Sequence, residues 1–455
     1  MKASQLMQHY EQGRRNFRGQ DLRGQSFQGQ NLVNADFSEA DIRGTNFSKT
    51  NLTGAKFCQA RGGLTKQREI VLRIISLSLA MLSGIFSGLA SSLILLIFDG
   101  PHIINQIVGW TALTILLIFC IFSYSQGLIG GIGAATLSFM TTLVIALIIA
   151  QAFPVLPGNT LFLVAIFISH VAFVLAGTLA GALAGATIRA TIGAIIGLGA
   201  FPWPIILYLT FAQIEPKTLP FAGVLGIGLV LTLLSVYFGL RSIKGDDRDI
   251  LIRRLAFAFA AMGGTSFYQS NLTNADLTEA ILKATDLRQA NLTRTRFYQS
   301  QQLHQARLED TILAQPEVRD LLIDPKTGYK KYYYKANLRG ANLDYGNLNG
   351  ANLKQADLRE ATLQNADLEE TNLTKVLALG TDFTGASLHG ACIEDWKIDV
   401  STKLNNVDCE YIFLLEKPNE YGSRERCPYD PVAGFEPGDF EMLYKVRNYV
   451  KSKPE

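Results

Sequence analysis

A large apolar residue returns at every fifth position over long stretches of this chain. In "ANLKQADLREATLQNADLEETNL" (351–373) the period is strict, and the residue two places before each leucine is alanine or threonine. A period of five fits neither an α-helix, with 3.6 residues per turn, nor a strand, with two. The pattern therefore predicts a chain that turns at a fixed short interval, with both marked positions pointing inward. The leucines of this stretch are Leu353, Leu358, Leu363, Leu368 and Leu373.

The same period marks a first block near the N-terminus and a longer block in the C-terminal half. The first block runs from Phe17 to Phe57, and the second begins at Phe267, slips near Gln301 and resumes from Leu338. Stacked turns of this kind bury a continuous apolar ladder in which every turn supports its neighbours. We therefore expect two solenoid blocks. The periodic residues of the first block are Phe17, Leu22, Phe27, Leu32, Phe37, Ile42, Phe47, Leu52 and Phe57.

The segment between the two blocks has a different pattern, with almost no charge over about 70–241. Between Arg73 and Arg241 the charged residues are Asp99, Arg189, Glu215 and Lys217. Since a membrane helix needs about 20 apolar residues, this segment predicts an all-α transmembrane bundle of about six helices. Breaks rich in proline or polar residues place them at roughly 71–98, 107–124, 127–151, 160–187, 191–212 and 220–240.

The cations flanking this segment predict its orientation. Lysines and arginines cluster before the first predicted helix and after the last, and Arg189 falls in the fourth break. The positive-inside tendency then makes these segments cytoplasmic. The N-terminal sequence "MKASQLMQHYEQGRRNF" lacks the apolar core of a signal peptide. We therefore expect an integral, multi-pass membrane protein with both termini cytoplasmic.

These patterns divide the chain into four predicted segments. Residues 1–64 form a short cap helix and the first repeat block, and 65–245 form the helical domain. Residues 246–400 form the larger solenoid, with an insertion at 314–335, and 401–455 form a C-terminal cap with a short helix. Because the first block is short and its last strand edges would be unpaired, a further hypothesis is that it stacks on the larger block as one composite solenoid, a question that the sequence leaves open.

The repeat sequence "ANLRGANLDYGNLNGANLKQADLREATLQNADL" resembles the pentapeptide-repeat family, whose consensus is A-(D/N)-L-x-x. The resemblance covers about 1–60 and 265–400 and implies right-handed quadrilateral β-helices with four units per coil. "LMQHYEQGRRNFRGQDL" and "CIEDWKIDVSTKLNNVDCEYIFL" resemble capping segments of cyanobacterial members. Repeats joined to membrane helices are similar to the pentapeptide-repeat membrane proteins linked to heterocyst glycolipid deposition.

Composition gives no support for catalysis, a cofactor or a metal. The sequence has no H-E-x-x-H, P-loop or G-x-S-x-G motif, its five histidines form no close pair, and its five cysteines include no C-x-x-C. The acidic residues of the repeats fall on outward positions, where solvation explains them. We therefore expect no enzyme, no cofactor and no metal site.

One candidate site lies in the predicted membrane segment. Glycines spaced by four or by a multiple of four would let helix backbones approach closely, and Arg189 occupies the missing place in the series. Helix packing is the simpler interpretation, and a charge facing the interior of a bundle is the alternative for Arg189. The glycines are Gly177, Gly181, Gly185, Gly193 and Gly197.

A second candidate is the segment "KTGYKKYYYK" (326–335), which sets lysines beside tyrosines. A solvated insertion is the simpler interpretation. A docking surface for lipid headgroups or for a protein is the alternative, because lysine attracts anionic groups and tyrosine suits interfaces. The candidate docking residues are Lys326, Tyr329, Lys330, Lys331, Tyr332, Tyr333, Tyr334 and Lys335.

Two functions fit these patterns. The first is an integral membrane scaffold whose cytoplasmic repeat faces bind a protein partner, with membrane lipids as further partners. The second is a membrane protein that assists lipid or glycolipid export or deposition. Mimicry of DNA, known for some pentapeptide-repeat proteins, needs a strongly acidic rod, whereas residues 1–64 carry nine Lys or Arg against five Asp or Glu. The net charge of +3 is also too small to favour nucleic acid.

Overall fold

The computed structural model describes residues 1–75, 103–152 and 250–444, together with residues 78, 94, 97, 237, 241 and 248. The chain forms two compact units. One, the solenoid unit, comprises Met1–Thr65 and Gly263–Glu455, and the other, the inserted unit, comprises Lys66–Met262.

The solenoid unit is built from coils of four five-residue sides. Parallel β-bridges join residues 20 apart, such as Asn16 to Asp36 and Asn352 to Asn372, and a separation of 20 divided by five gives four sides per coil. The large apolar residue of each side points into the coil, and Phe27 and Leu353 are fully buried there. The period of five is therefore confirmed as the repeat of a pentapeptide solenoid.

Local hydrogen bonds explain why the chain turns after each side. The residue two places after the buried one often adopts a left-handed conformation, as at Asn34 with φ of 56° and Glu360 with φ of 62°. The polar residue before the buried one closes the turn, since Asp36 Oδ1 accepts a bond of 2.9 Å from the Ser38 amide. Where the inward small residue is threonine, its hydroxyl donates a hydrogen bond to a buried carbonyl, as Thr45 does to the Leu22 carbonyl at 2.7 Å.

The two repeat blocks join into one solenoid although about 200 residues separate them in sequence. Asn46 bridges Ser266 and Asn51 bridges Asn271, in the register that other coils use. The Phe47 amide donates to the Ser266 carbonyl at 2.7 Å, and the rings of Phe47 and Phe267 stack with centroids 5.4 Å apart. The predicted composite solenoid is confirmed.

Both ends of the solenoid are capped. Helix α1 (Ala3–Glu11) buries Leu6 over the first coil, and the Met1 amino group donates to the Asp21 carbonyl at 2.7 Å. At the other end, strand β1 (Ile412–Phe413) pairs antiparallel with β2 (Arg426–Cys427). Residues 439–444 are helical there, and Phe440 packs near Trp396.

In the inserted unit, residues 66–75 are helical, helix α2 spans Ile103–Ala152 and helix α3 spans Ile250–Ala261. Helix α2 runs without interruption through "YSQG" (124–127), where the sequence predicted a break between helices 107–124 and 127–151. The Ser125 hydroxyl bonds back to the Ile121 carbonyl at 3.0 Å, and the segment contains neither proline nor charge. A hydroxyl satisfied in this way is compatible with a continuing helix.

The prediction of a six-helix transmembrane bundle is therefore wrong. Two predicted helices of opposite direction are one helix of 50 residues. Within the described part of the chain, a single stretch, Gly109–Gln126, is long and apolar enough to cross a membrane. The multi-pass topology with both termini cytoplasmic is likewise not supported. The predicted helices at 160–187 and 191–212 lie outside the described residues.

Candidate partner-binding surface

The solenoid is interrupted between its middle and its last coils, and the predicted docking segment lies at this interruption. After Arg307, which bridges Asp286, the chain forms a short 3-10 turn at Ile312–Ala314 and then helix α4 (Pro316–Ile323). Helix α4 directs one face into the solenoid core. The buried residues of that face are Val318, Leu321 and Leu322.

The chain returns from helix α4 to the repeat through a second 3-10 turn at Pro325–Gly328. The Asp324 carboxylate begins this turn by accepting a bond of 3.1 Å from the Lys326 amide. Gly328 lies so close to Leu348 and to the Asn347 carbonyl that a Cβ there would overlap them. The return path is therefore tightly packed, and it fixes where residues 329–335 emerge.

Tyr333 belongs to the core of the solenoid. It is 5% exposed, and it lies five residues before Leu338, where the period predicts an inward position. Burial, with the nearby charges of Asp320 and Glu317, raises the pKa of its phenol to about 12. Because Tyr332 also bridges Asn352, the regular repeat includes the last residues of the segment 314–335.

The lysines and the other tyrosines of 326–335 are exposed and form a polar and aromatic surface. Tyr332 is 79% exposed, and Tyr329 and Tyr334 are about half exposed. The ammonium of Lys330 lies 5.0 Å from the ring centroid of Tyr329, and that of Lys335 lies 5.1 Å from the ring of Tyr334. We call this the Tyr–Lys surface, and it comprises Lys326, Tyr329, Lys330, Lys331, Tyr332, Tyr334 and Lys335.

The charge of the Tyr–Lys surface is not neutralised by neighbouring side chains. Among the described residues, no carboxylate lies within ion-pair distance of its four lysines. Elsewhere on the same coils Lys354 pairs with Glu416, and Lys403 pairs with Asp382 at 3.0 Å. A hydrogen bond with Tyr329 raises the pKa of Lys330. The surface therefore presents four cations without an ion pair in the described part of the chain, one of which, Lys330, is hydrogen-bonded to Tyr329.

A groove of about 310 Å³ also opens at the interruption, on another side of the solenoid. Its lining is polar and mixes acids with bases. Burial raises the pKa of Asp382, but hydrogen bonds from Thr384, Lys403 and Gln364 lower it more, to about 2. The Arg294 guanidinium is already occupied by the Glu360 carbonyl at 2.9 Å. Asp382 and Arg294 in the groove are therefore already hydrogen-bonded within the protein.

A second cavity of about 370 Å³ is lined mainly by polar residues, including Asn291, Asp310, Asn337 and Arg339. The sequence did not indicate either cavity, because both arise from the way the interruption separates two stacks of coils. The sequence also missed Tyr345, a further exposed tyrosine, although its place two residues after Leu343 is an outward one.

In the described part of the chain, no group of histidine, cysteine or carboxylate side chains could hold a metal ion, and none of the five cysteines forms a disulfide. Burial raises the pKa of Cys409 to about 12, which makes it a poor nucleophile. The predicted packing glycines Gly177, Gly181, Gly185, Gly193 and Gly197, and the candidate charge Arg189, all lie outside the described residues.

Comparison with known proteins supports the repeat assignment. The family profile described as Pentapeptide repeats matches in 8 copies, over residues 21–59, 257–297, 270–315 and 336–374. This profile describes a repeat and not a catalytic domain. No curated protein matches the chain.

Several solved structures are similar at low identity. HetL, a pentapeptide repeat protein involved in heterocyst differentiation regulation from the cyanobacterium Nostoc, is 13% identical, with a TM-score of 0.24 over 93% of this chain and 99% of that one. QnrB1, a plasmid-mediated fluoroquinolone resistance protein, is 13% identical, with a TM-score of 0.19 over 42% of this chain and 87% of that one. A pentapeptide repeat protein from the Arabidopsis thaliana thylakoid lumen is 16% identical, with a TM-score of 0.14 over 27% and 80%. Scores this low carry no argument about function.

Proposed function

We propose that this chain, whose repeat blocks are pentapeptide repeats, is an interaction scaffold that presents the sides of one rigid solenoid to a protein partner. The observation that carries the proposal is the continuous backbone ladder across the two blocks. The amides of Phe47, Leu52 and Phe57 donate to carbonyls of residues 266, 271 and 276 at 2.7, 2.8 and 2.7 Å. A ladder of this kind keeps the outward residues in fixed positions.

The outward residues form regular columns that suit recognition. Asn31, Asn51, Asn271 and Asn291 follow one another along one side, joined by successive bridges, at a strand spacing of about 4.8 Å. Such a column offers hydrogen-bonding groups at a repeating distance. Because the backbone is already ordered, a partner that binds there does not have to order it, which favours affinity.

The alternative function, lipid or glycolipid handling, would be favoured by an apolar cavity or a lateral opening in the helical segment. Most of that segment lies outside the described residues. The two cavities described above lie in the solenoid and carry charged groups, Arg296 and Asp344 in one and Arg339 in the other, so neither suits an acyl chain.

The proposal is tested by purifying the chain in mild detergent from its native source after amine-reactive cross-linking, with mass spectrometry of proteins and lipids. We expect a stoichiometric protein companion that is cross-linked to outward lysines of the solenoid. A lipid enriched without any protein companion would contradict the scaffold and favour lipid handling. A parallel sample cross-linked after the addition of high salt and detergent controls for contacts that form during lysis.

A further inference from the structure

The Tyr–Lys surface lies on a bare strand edge. In a regular coil, each side forms three backbone hydrogen bonds with the coil before it, donating one and accepting two. For the side centred on Phe37, the Asp36 amide donates to the Arg15 carbonyl, and the carbonyls of Asp36 and Ser38 accept from Phe17 and Gly19. In the side centred on Tyr333, the equivalent groups are the Tyr332 amide and the carbonyls of Tyr332 and Tyr334. None of these three groups has a backbone partner among the described residues.

The first coil has a comparable edge, and there the N-terminal cap supplies hydrogen-bond donors to its carbonyls. There the Asp21 carbonyl accepts from the Met1 amino group at 2.7 Å. The Val33 carbonyl accepts from the Tyr10 hydroxyl at 3.0 Å, and the Asn16 carbonyl accepts from Arg14 at 2.9 Å. These three carbonyls correspond in the repeat to those of Tyr332 and Tyr334. The edge at Tyr332 therefore differs from the capped edge in lacking its donors.

Helix α4 lies within the same interruption, and none of its backbone groups bonds this edge. Its buried residues lie in the core, and Glu317 and Asp320 lie near the phenol of Tyr333. Tyr332, whose amide and carbonyl belong to the edge, is 79% exposed over the whole residue. An exposed edge with unpaired amide and carbonyl groups is a template for an added strand.

We propose that this edge binds an extended, acidic segment of a partner protein, which adds one strand to the solenoid side formed by Tyr332–Tyr334. The added strand accepts a hydrogen bond from the Tyr332 amide and donates to the carbonyls of Tyr332 and Tyr334. Its carboxylates face the ammonium groups of Lys330, Lys331 and Lys335, and its apolar stems lie on the rings of Tyr332 and Tyr334. This inference rests on the proposed scaffold function and names the class of partner.

The acidic character of the partner follows from the lysines at the edge, which outnumber the nearby carboxylates Glu317, Asp320 and Glu370. Four lysines lie within ten residues of sequence, and none of them has an ion-pair partner among the described residues. A basic or neutral segment could form the same backbone bonds, but it would meet repulsion or no attraction. Charge complementarity of this kind selects among partners that could all pair with an edge.

The test measures the binding of fluorescein-labelled peptides to the purified full chain by fluorescence anisotropy. The probe is a short peptide that alternates glutamate with valine and threonine. We expect binding that weakens as salt rises. The same peptide with lysine in place of glutamate, and the acidic peptide with methylated backbone amides, should each bind at least about tenfold more weakly. Equal affinity of the methylated peptide would overturn strand addition.

Variants of the chain locate the site. The double charge reversal K330E/K331E should weaken binding of the acidic peptide at least about tenfold. The control K49E/K56E makes an equal change of charge at exposed lysines of the first block, and it should leave the affinity of the peptide unchanged. Y332P removes the edge amide and should weaken binding more than Y332A does, with folding checked by circular dichroism. Equal weakening by the two double reversals would overturn the site.

Anionic vesicles of phosphatidylglycerol and a single-stranded oligonucleotide serve as competing ligands in the same assay. Tighter binding of either one, with the same sensitivity to K330E/K331E, would overturn the assignment to an acidic protein segment. The scaffold proposal would survive this result if a protein companion were still cross-linked to another side of the solenoid. Failure of this inference and failure of the proposed function are therefore distinguishable.

Discussion

Excision of the inserted unit should leave a continuous solenoid. We consider deletion of residues 64–263, which joins Gly63 to Gly264 and shortens the chain by 200 residues. The two ends already meet, since the Thr265 amide donates to the Gly63 carbonyl at 3.1 Å and the Gly63 amide donates to Thr265 Oγ1 at 2.9 Å. After excision Phe267 follows Gly62 by five residues, so the register of the repeat is kept.

The expected change in stability follows from loop closure. Closing a flexible loop costs free energy in proportion to the logarithm of its length, so replacing about 200 residues by one glycine lowers the cost by roughly 4–5 kcal/mol. This figure is an upper limit, because the inserted unit is itself compact. The buried side chains of the solenoid are all retained. We therefore expect the junction to be at least as stable after excision as in the full chain.

The assay is amide hydrogen exchange of the peptide that spans 46–61. Protection of the Phe47, Leu52 and Phe57 amides should equal or exceed that in the full chain. A control deletion of 64–265 sets Phe267 three residues after Gly62, where it cannot reach the core, and it should lose the protection. Rapid exchange in the first deletion, with the remaining coils still protected, would refute the argument that the two blocks share one register.

Three further predictions concern single residues. Phe47→Ala should lower the free energy of unfolding, measured by urea denaturation, by about 3–5 kcal/mol. Phe47→Leu should lower it less, because leucine fills equivalent positions of the repeat. Equal effects of the two substitutions would contradict the stacking of the Phe47 ring. Gly63→Ala should cost at least about 2 kcal/mol, since Gly63 has φ of 103° and a Cβ would overlap the Lys283 carbonyl, whereas Gly13→Ala faces open space and should cost less. For Asp382, whose folded pKa of about 2 lies below the unfolded value of about 3.9, the stabilisation is present above pH 4 and lost as pH falls towards 2. Asp382→Asn should therefore differ from wild type at neutral pH and converge with it near pH 2 in thermal melts; a constant difference would contradict this.

The sequence predicts the solenoid well because its signal is local and repeated. The interval of five identifies the nine large apolar residues from Phe17 to Phe57, and the structure buries all nine. Stacking of the two blocks follows from the same period together with unpaired edges. Placing Tyr333 in the core required only counting back five residues from Leu338, but the neighbouring lysines and tyrosines obscured this.

Other features could not be predicted from sequence because they depend on geometry between coils. The helix break predicted at 124–127 was wrong because hydroxyl and amide side chains interrupt apolarity without interrupting an α-helix, as the bond from Ser125 to the Ile121 carbonyl illustrates. The grooves beside Arg294 and Asn337 arise where helix α4 interrupts the coils. The bare edge at Tyr332 depends on which backbone groups find partners, and a one-dimensional pattern does not contain that information.

Disulfide formation in the intact chain tests the central claim, the single composite solenoid, most directly. Ser48 Oγ and Ser266 Oγ lie 2.8 Å apart across the two blocks, so the pair S48C/S266C should form a disulfide under mild oxidation. Ser26 lies in the same column of bridged residues as Ser266, two strand spacings or roughly 9–10 Å away. The pair S26C/S266C should therefore not form a disulfide. Mass spectrometry of the linked peptides identifies the bond. A 48–266 link without a 26–266 link is the predicted result, and either no 48–266 link in folded protein or equal amounts of both would contradict the composite solenoid.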